Sequence, residues 1–209
     1  MTARALLTWV LGGVAATIPA RAWAGDGEAG APRGAPVAPS KARIEVLLVP
    51  APLGYIKVGI PDGASYDVGS VPAFGVMTAL DFLPRPNLFV GFAPSATFNI
   101  KTRDDVPPDR SWALDFLLRV GYGLPLGDRV RAYGYLAPGY SFIFMPRGFI
   151  SQGPVIGLHA GGLYDLTPTF FLAAEGGYQA GFQQAAYIGD TSPWQVNLIQ
   201  IGLGVGAHL

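Results

Sequence analysis

The last twelve residues of the chain, positions 198–209, alternate strictly between two kinds of side chain. The odd positions are aliphatic, whereas the even positions after Leu198 are glycine or polar. A period of two places successive side chains on opposite faces of an extended strand. We therefore predict a β-strand with one face against hydrocarbon and the other against a narrow interior. The odd positions are Ile199, Ile201, Leu203, Val205, Ala207 and Leu209.

Composition excludes several classes of protein. Charged residues make up 13% of the 209 positions, against roughly 25% in typical soluble domains. Apolar residues make up 50%, but beyond the N-terminal segment no apolar run reaches the roughly 18 residues of a membrane-spanning helix. Acidic and basic residues are balanced at 14 each, so there is no basic field for nucleic acid. The absence of cysteine excludes disulfides, thiol catalysis and thiolate metal sites.

The chain divides into three regions. Residues 1–24 combine Arg4, an apolar core and small residues at a cleavage position, which predicts a cleaved signal peptide for export. Residues 25–40 are rich in Gly, Ala and Pro and are predicted to be a disordered leader. Residues 41–209 are predicted to fold as one domain.

The alternation recurs in eight segments of strand length. In the third of them it assigns Phe98 and Ile100 to the apolar face. The breaks between segments are alternately long and tight, and similar fragments recur about every 42 to 44 residues, the length of one hairpin. We predict an all-β fold, an eight-stranded antiparallel up-and-down transmembrane β-barrel. The predicted strands are 42–58, 68–83, 87–101, 111–124, 129–144, 153–166, 169–183 and 194–209, with tight turns at 83–87, 124–128 and 166–169 and longer loops at 59–67, 102–110, 145–152 and 184–193.

A soluble lipocalin-like barrel would show the same alternation with its apolar face inward. Two features favour a membrane barrel instead. The polar face carries mostly small residues with isolated charges, whereas a face in water would carry many Lys and Glu. Aromatic residues cluster at both ends of the apolar face, as expected at two membrane interfaces. These predicted belts comprise Phe82, Tyr122, Tyr164 and Phe170 near the tight turns, and Trp112 and Trp194 near the longer loops.

With these features, residues 41–209 resemble the small eight-stranded outer-membrane β-barrel family, which includes the transmembrane domain of OmpA, OmpX and the opacity-type proteins. The resemblance rests on the eight strands, the tight turns opposite longer loops, and the terminal strand. It implies a monomer in a Gram-negative-type cell outer membrane, surrounded by outer-membrane lipid and lipopolysaccharide. It also implies transit with periplasmic chaperones and insertion by the barrel-assembly machinery. The implied assembly signal comprises Ile201, Leu203, Val205, Ala207 and Leu209, although this family usually ends in an aromatic residue.

Few charged residues fall on the predicted inner face. An eight-stranded barrel has room inside for side chains only, so these charges must pair or stay unsatisfied. We interpret them as an ion-pair network that plugs the lumen, centred on Arg119 with Glu45, Asp81 or Glu175. Resemblance to OmpA-like barrels implies an alternative, a network that rearranges to open a thin water path. The predicted network comprises Glu45, Asp81, Asp115, Arg119, Arg131 and Glu175.

Three functions are compatible with this architecture. The first is a structural or surface-interaction role, in which the loop residues Arg103 and Arg110 would contact lipopolysaccharide phosphates. The second is a narrow channel or small-solute pore, because inner-face glycines such as Gly157 and Gly202 leave unfilled volume. The third, a lipid-modifying enzyme, needs a serine beside a histidine base, and His159 has no Ser or Thr within four residues. We predict the first function and assign no catalytic residue, metal or cofactor.

Several prolines fall inside predicted strands, among them four in separate strands. Each removes a ladder hydrogen bond, and a closed barrel has no edge strand to accommodate it. We therefore expect bulges or bends at these positions. The four residues are Pro50, Pro72, Pro94 and Pro138.

Overall fold

The computed structural model describes residues 41–59, 65–69, 72–100, 111–144, 150–187 and 190–209. The predicted signal peptide, the leader and the 102–110 loop lie outside these residues. Every regular element in the described ranges is a β-strand. No helix there is long and apolar enough to cross a membrane. The strands are β1 (Ala42–Ala51), β2 (Leu53–Gly59), β3 (Ser65–Gly69), β4 (Ala73–Phe82), β5 (Leu88–Ile100), β6 (Ser111–Pro125), β7 (Val130–Phe144), β8 (Ile150–Asp165), β9 (Phe170–Tyr187) and β10 (Asp190–His208).

These strands form the wall of a closed barrel of eight wall strands. β1 and β2 follow one another along β10 and make the first wall strand, and β3 and β4 make the second. Each wall strand pairs antiparallel with its neighbour in sequence, and β10 returns to pair with β1. A hydrogen bond of 2.8 Å from Leu209 N to Ala42 O extends this closing pair. The predicted fold, an all-β, eight-stranded, up-and-down barrel, is confirmed.

The outer face of the wall is apolar, whereas the buried charged side chains point into the lumen together with apolar ones. In β6, Leu118 and Val120 are 56% and 48% exposed, whereas Arg119 between them is fully buried. The same alternation of burial runs through β1 and β4. A soluble barrel has the opposite arrangement, because its outer wall must be wetted by water. An apolar outer wall around a polar interior is the arrangement of a transmembrane barrel.

One predicted face assignment is wrong. Ile100, which the alternation assigns to the outer face, is only 4% exposed and packs inside the lumen. The register of β5 against β6 shifts between Thr97 and Ile100, where β5 accommodates an extra residue. Asn99 has a positive φ of 63° in this bulge, a conformation that asparagine adopts more readily than most residues. The extra residue reverses the alternation from that point onward.

The in-strand prolines interrupt the hydrogen-bond ladder on one side only. Pro94 stays in register with Phe116 of β6, but the pairing of β5 with β4 stops beside it. Pro138 stays in register with Ile156 of β8, while the pairing of β7 with β6 is interrupted beside it. The register is the same on both sides of these two gaps, so the bulges expected there do not form.

A bulge does accompany the first of the prolines. β10 pairs Leu203 with Leu48 of β1 and Ile199 with Leu53 of β2, so the register shifts by one residue across the segment that contains Pro50. A similar gap without a register shift separates β8 from β9 beside Pro154, between the pairs of Gln152 and Val155. Pro72 precedes β4 rather than lying within it.

The strands extend further than predicted at the end opposite the tight turns. β9 continues to Tyr187, β10 begins at Asp190, and these two residues pair across the hairpin. The predicted loop at 184–193 is therefore wrong, because most of it belongs to the ladder. β8 begins at Ile150, which shortens the predicted connection at 145–152.

Candidate functional site

The lumen near the tight turns holds four charged side chains, which we call the arginine cluster: Arg43, Glu45, Asp81 and Arg119. Ladder pairing places Arg43, Asp81, Gly91 and Arg119 in one row across adjacent wall strands. Because Gly91 has no side chain, Asp81 and Arg119 can approach each other across its position in that row. Arg43 Nε donates to Asp81 Oδ2 at 2.9 Å. Arg119 Nη1 donates to Glu45 Oε1 and lies 3.6 Å from Asp81 Oδ2.

Aromatic rings cover the two guanidinium groups of the arginine cluster. Arg43 Cζ lies 4.4 Å from the ring centroid of Phe89, and Arg119 Cζ lies 4.2 Å from that of Tyr135. A guanidinium over the face of a ring is attracted to the negative face of the aromatic quadrupole. All four side chains are buried, so the rings shield the cluster from water.

Glu175 forms a second group beside the arginine cluster. The hydroxyls of Tyr133 and Tyr135 donate to its two carboxylate oxygens, at 2.9 and 2.8 Å. His159 Nδ1 lies 3.7 Å from Glu175 Oε1, and its ring stacks on Tyr135 with the centroids 4.8 Å apart. Hydrogen bonds from two hydroxyls allow a carboxylate to be buried without a direct arginine partner. Accordingly, the structure places Glu175 near Arg119 without an ion pair between them among the described residues.

Two of the inner-wall glycines make room for these side chains rather than leaving empty volume. A Cβ at Gly157 would lie 2.7 Å from His159 Nε2, and one at Gly202 would lie 2.7 Å from Glu175 Cγ. Both distances are well inside van der Waals contact. The space that each glycine leaves is filled by a side chain of the wall, so the expectation of unfilled volume is wrong at these two positions.

Asp115 lies apart from the arginine cluster, further from the tight turns. Its ladder partners on the two neighbouring strands are Ser95 and Ser141. Ser95 Oγ donates to Asp115 Oδ2 at 3.3 Å, and Gln179 Nε2 donates to the same oxygen at 3.0 Å. Among the side chains that the structure describes, no cationic group forms an ion pair with Asp115. The six residues predicted as one network are thus divided between separate groups.

Arg131 lies outside both the arginine cluster and the group around Glu175. Its Nη2 lies 3.5 Å from Asp165 Oδ2, and its side chain is 36% exposed. His208 Nε2 lies 2.9 Å from the other oxygen of Asp165. Arg131 also lines a cavity of about 210 Å³ at the tight-turn end, together with Arg43 and Tyr133. We call this cavity the vestibule.

The structure places most of the predicted belt residues on the outer wall. Trp194 departs from that expectation, because it shares the alternation of Val196 and Leu198 and packs against the lumen cluster that contains them. It lies at the loop end of the lumen, above the buried side chains of that cluster. The belt residues with exposed side chains are Phe82, Trp112, Tyr122, Tyr164 and Phe170.

The closing strand has the two faces that its alternation predicts. Gly202 is buried on the inner face, and Leu203 beside it is 57% exposed on the outer face. The residues of the predicted assembly signal share that outer face, with Ala207 half-buried and the others exposed: Ile201, Leu203, Val205, Ala207 and Leu209.

Several described lumen residues that contact the predicted site are absent from the prediction, and four of them show why. Arg43 carries a detectable signal, because it is two positions from Glu45 on the same strand and therefore shares its face. Tyr133 and Tyr135 carry the same signal, because they are two and four positions from Arg131 on one strand and share its face. Their contacts with Glu175 could not be predicted, because these depend on the pairing register. Gln179 meets Asp115 from a distant strand, a contact that no sequence spacing shows.

No protein-family profile and no curated protein sequence matches the chain. Solved structures that are similar to it include two outer-membrane barrels. The outer membrane protein OprG from Pseudomonas aeruginosa has a TM-score of 0.61 at 12% identity, over 82% of this chain and 97% of OprG. Neisserial surface protein A, NspA, has a TM-score of 0.51 at 14% identity, over 81% of this chain and 98% of NspA. Identities this low show the fold alone. Together with the closed antiparallel wall, the two similar structures show that this chain has the eight-stranded outer-membrane β-barrel fold.

Proposed function

We propose that this chain is a monomeric outer-membrane protein with a structural or surface-interaction role and a lumen plugged by ion pairs. The apolar outer wall and its exposed aromatic residues support a position in a bilayer. The similarity to OprG, described as an outer membrane protein, supports the choice of membrane. The proposed surroundings are outer-membrane lipid and lipopolysaccharide, reached by export with periplasmic chaperones and insertion by the barrel-assembly machinery.

The burial of Arg119 is the main observation that supports a lumen plugged by ion pairs. Its side chain and those of its partners Glu45 and Asp81 are 0% exposed. Two further cavities that the lumen side chains enclose measure only about 10 and 20 Å³, room for about one water each. These small volumes support a lumen that is filled by side chains rather than by a continuous column of water.

The surroundings of His159 support a role without catalysis. Its imidazole is buried in the lumen, stacked on Tyr135 and facing Glu175. A lipid substrate would approach from the outer wall, which this histidine does not reach. Activation of a serine would also need the hydroxyl within hydrogen-bond distance of the ring.

Single-channel recording in planar bilayers tests the plug. The wild-type barrel should give no steady current above the lipid background. Arg119→Ala, which removes the centre of the arginine cluster, should give measurable openings. Arg131→Ala is the matched control at the vestibule and should stay silent. A steady unitary current through the wild-type protein would contradict the plug.

A narrow pore is the second candidate function, and a specific observation favours it. Several buried polar atoms of the arginine cluster have no hydrogen-bond partner among the described residues, including Arg119 Nε, Arg119 Nη2 and Glu45 Oε2. Unpaired buried groups are costly and are often satisfied by water. Water reaching them from the vestibule would form the beginning of a path, and the same recordings would show it as wild-type current.

A further inference from the structure

Asp115 carries a charge that nothing described around it balances. Its side chain is only 2% exposed. The other buried carboxylates nearer the turns have guanidinium or tyrosine partners, whereas its described partners are the neutral groups of Ser95, Ser141 and Gln179. Taking an unpaired carboxylate out of water costs several kcal/mol in real proteins. A positive charge beside Asp115 would offset that cost.

Three oxygens around Asp115 lack a donor. Asp115 Oδ1, Gln179 Oε1 and Gln183 Oε1 are all buried and have no hydrogen-bond partner among the residues that the structure describes. Carboxylate and amide oxygens are acceptors. They are satisfied either by N–H and O–H donors or by a cation that takes its ligands from oxygen.

The same three side chains line one cavity in the lumen. It has a volume of about 20 Å³ and is completed on its polar side by Thr97 and Ser141. A cavity of this size holds one body about as large as a water molecule. The apolar side chains on its other side exclude further water and make an unbalanced charge more costly there. They are Ile100, Ala113, Ile143, Val155, Val196 and Leu198.

We propose that this cavity binds one monovalent cation of about the size of K⁺, held by side-chain oxygens of Asp115, Gln179, Gln183 and Ser141. One positive charge balances the one carboxylate, and the oxygens would replace the hydration shell as backbone carbonyls do in K⁺ filters. A divalent ion would leave a net positive charge in an apolar surrounding.

This site is independent of the proposed plug. The arginine cluster balances its charges internally and lies nearer the tight turns, so the lumen could be closed to current with or without the cation. The rival explanation for Asp115 is a protonated carboxyl, which needs no counter-ion and gives no dependence on the kind of salt.

Thermal unfolding of the refolded protein in detergent distinguishes these two states of Asp115. The midpoint, measured by loss of the folded gel mobility, should be higher in potassium chloride than in N-methyl-glucamine chloride at equal ionic strength. The shift should saturate with K⁺, because a ligand that binds only the folded state stabilises it by mass action. Asp115→Asn should abolish the dependence on K⁺. Asp165→Asn, which changes a carboxylate at the turn end, is the control and should retain it.

Gln183→Leu provides a variant that keeps the carboxylate, in case Asp115→Asn does not fold. Loss of one ligand should raise the half-saturating K⁺ concentration by about tenfold, equivalent to about 1.4 kcal/mol. Crystals soaked in thallium(I) should show an anomalous peak between Asp115 and Gln183. Equal midpoints in the two salts, or K⁺ dependence that survives Asp115→Asn, would overturn the proposal.

Discussion

Arg119 shows what a single charged residue needs in order to lie inside this wall. One guanidinium contacts two carboxylates from β1 and β4 and the face of an aromatic ring from β7. Arg43 in turn shares Asp81. Removing Arg119 would therefore leave Glu45 without a cationic partner, whereas Asp81 would keep Arg43. This difference between the two carboxylates can be tested.

Arg119→Met should lower the free energy of unfolding by about 3–5 kcal/mol, the usual cost of leaving a buried charge unpaired. Glu45 would lose its direct partner, whereas Asp81 would keep Arg43 at 2.9 Å. Adding Glu45→Gln to the same chain should therefore recover most of the loss. Urea-induced unfolding in detergent micelles measures all three chains.

Arg131→Met serves as the control for that series. Its pair with Asp165 is longer and partly exposed, so its removal should cost less than about 1 kcal/mol. Equal losses of unfolding free energy in the two single variants would contradict the larger cost that we assign to the buried pairs of Arg119.

At the residue scale, alternation predicted which charges face inward but not how they group. Glu45, Asp81 and Arg119 were predicted to meet, and the structure brings them together. The position of Asp115 along the barrel axis depends on the pairing register of β6, which no single segment reveals. Trp194 was assigned to the outer belt because it lies near a longer loop, although its even position in the closing strand places it on the inner face with Val196 and Leu198.

At the scale of a strand, the bulge in β5 depends on Asn99. Asn99→Val should destabilise the barrel by about 1–2 kcal/mol, because a β-branched residue is strained at positive φ. Asn99→Gly removes the bond from Asn99 Nδ2 to Pro72 O at 3.1 Å but relieves the strain, so its cost should be about 1 kcal/mol or less. Unfolding by urea measures both. A glycine variant less stable than the valine variant would contradict this reason for the bulge.

The gap between β4 and β5 depends on Pro94, which has no N–H. Pro94→Val supplies one toward β4, and we expect it to join the ladder and exchange slowly with deuterium. The control is Pro86→Val in the exposed tight turn, where the new N–H should exchange rapidly. Hydrogen exchange with mass spectrometry reports both amides. Rapid exchange at position 94 would show that the gap has another cause.

The strands themselves were predictable, because eight alternating segments between tight turns leave few other folds. The errors occur where one residue changes the count or where polar residues continue a strand. The extra residue at Asn99 is invisible until β5 is aligned with β6. Gln184 was assigned to the predicted loop at 184–193, but it pairs with Pro193 of β10 and belongs to the wall.

At the scale of the whole molecule, the orientation in the membrane can be tested with cysteine labelling. The native chain has no cysteine, so each variant carries a single thiol. We expect Arg103→Cys, in the predicted 102–110 loop, to react with an impermeant maleimide in intact cells. Asp128→Cys, in a tight turn, should react only after the outer membrane is permeabilised, because short turns of such barrels face the periplasm. The reverse pattern would contradict this orientation.

The proline-linked gaps in the ladder also divide the barrel as a whole. They lie between β4 and β5, between β6 and β7, between β8 and β9, and along β10 and the first wall strand. These interfaces alternate around the circumference with the ones that join the two strands of each long-loop hairpin. Fewer hydrogen bonds make a region easier to open locally. We therefore expect these four interfaces to open more easily than the others, so that a change in bilayer thickness or lateral pressure would separate strands there first while each long-loop hairpin stays paired.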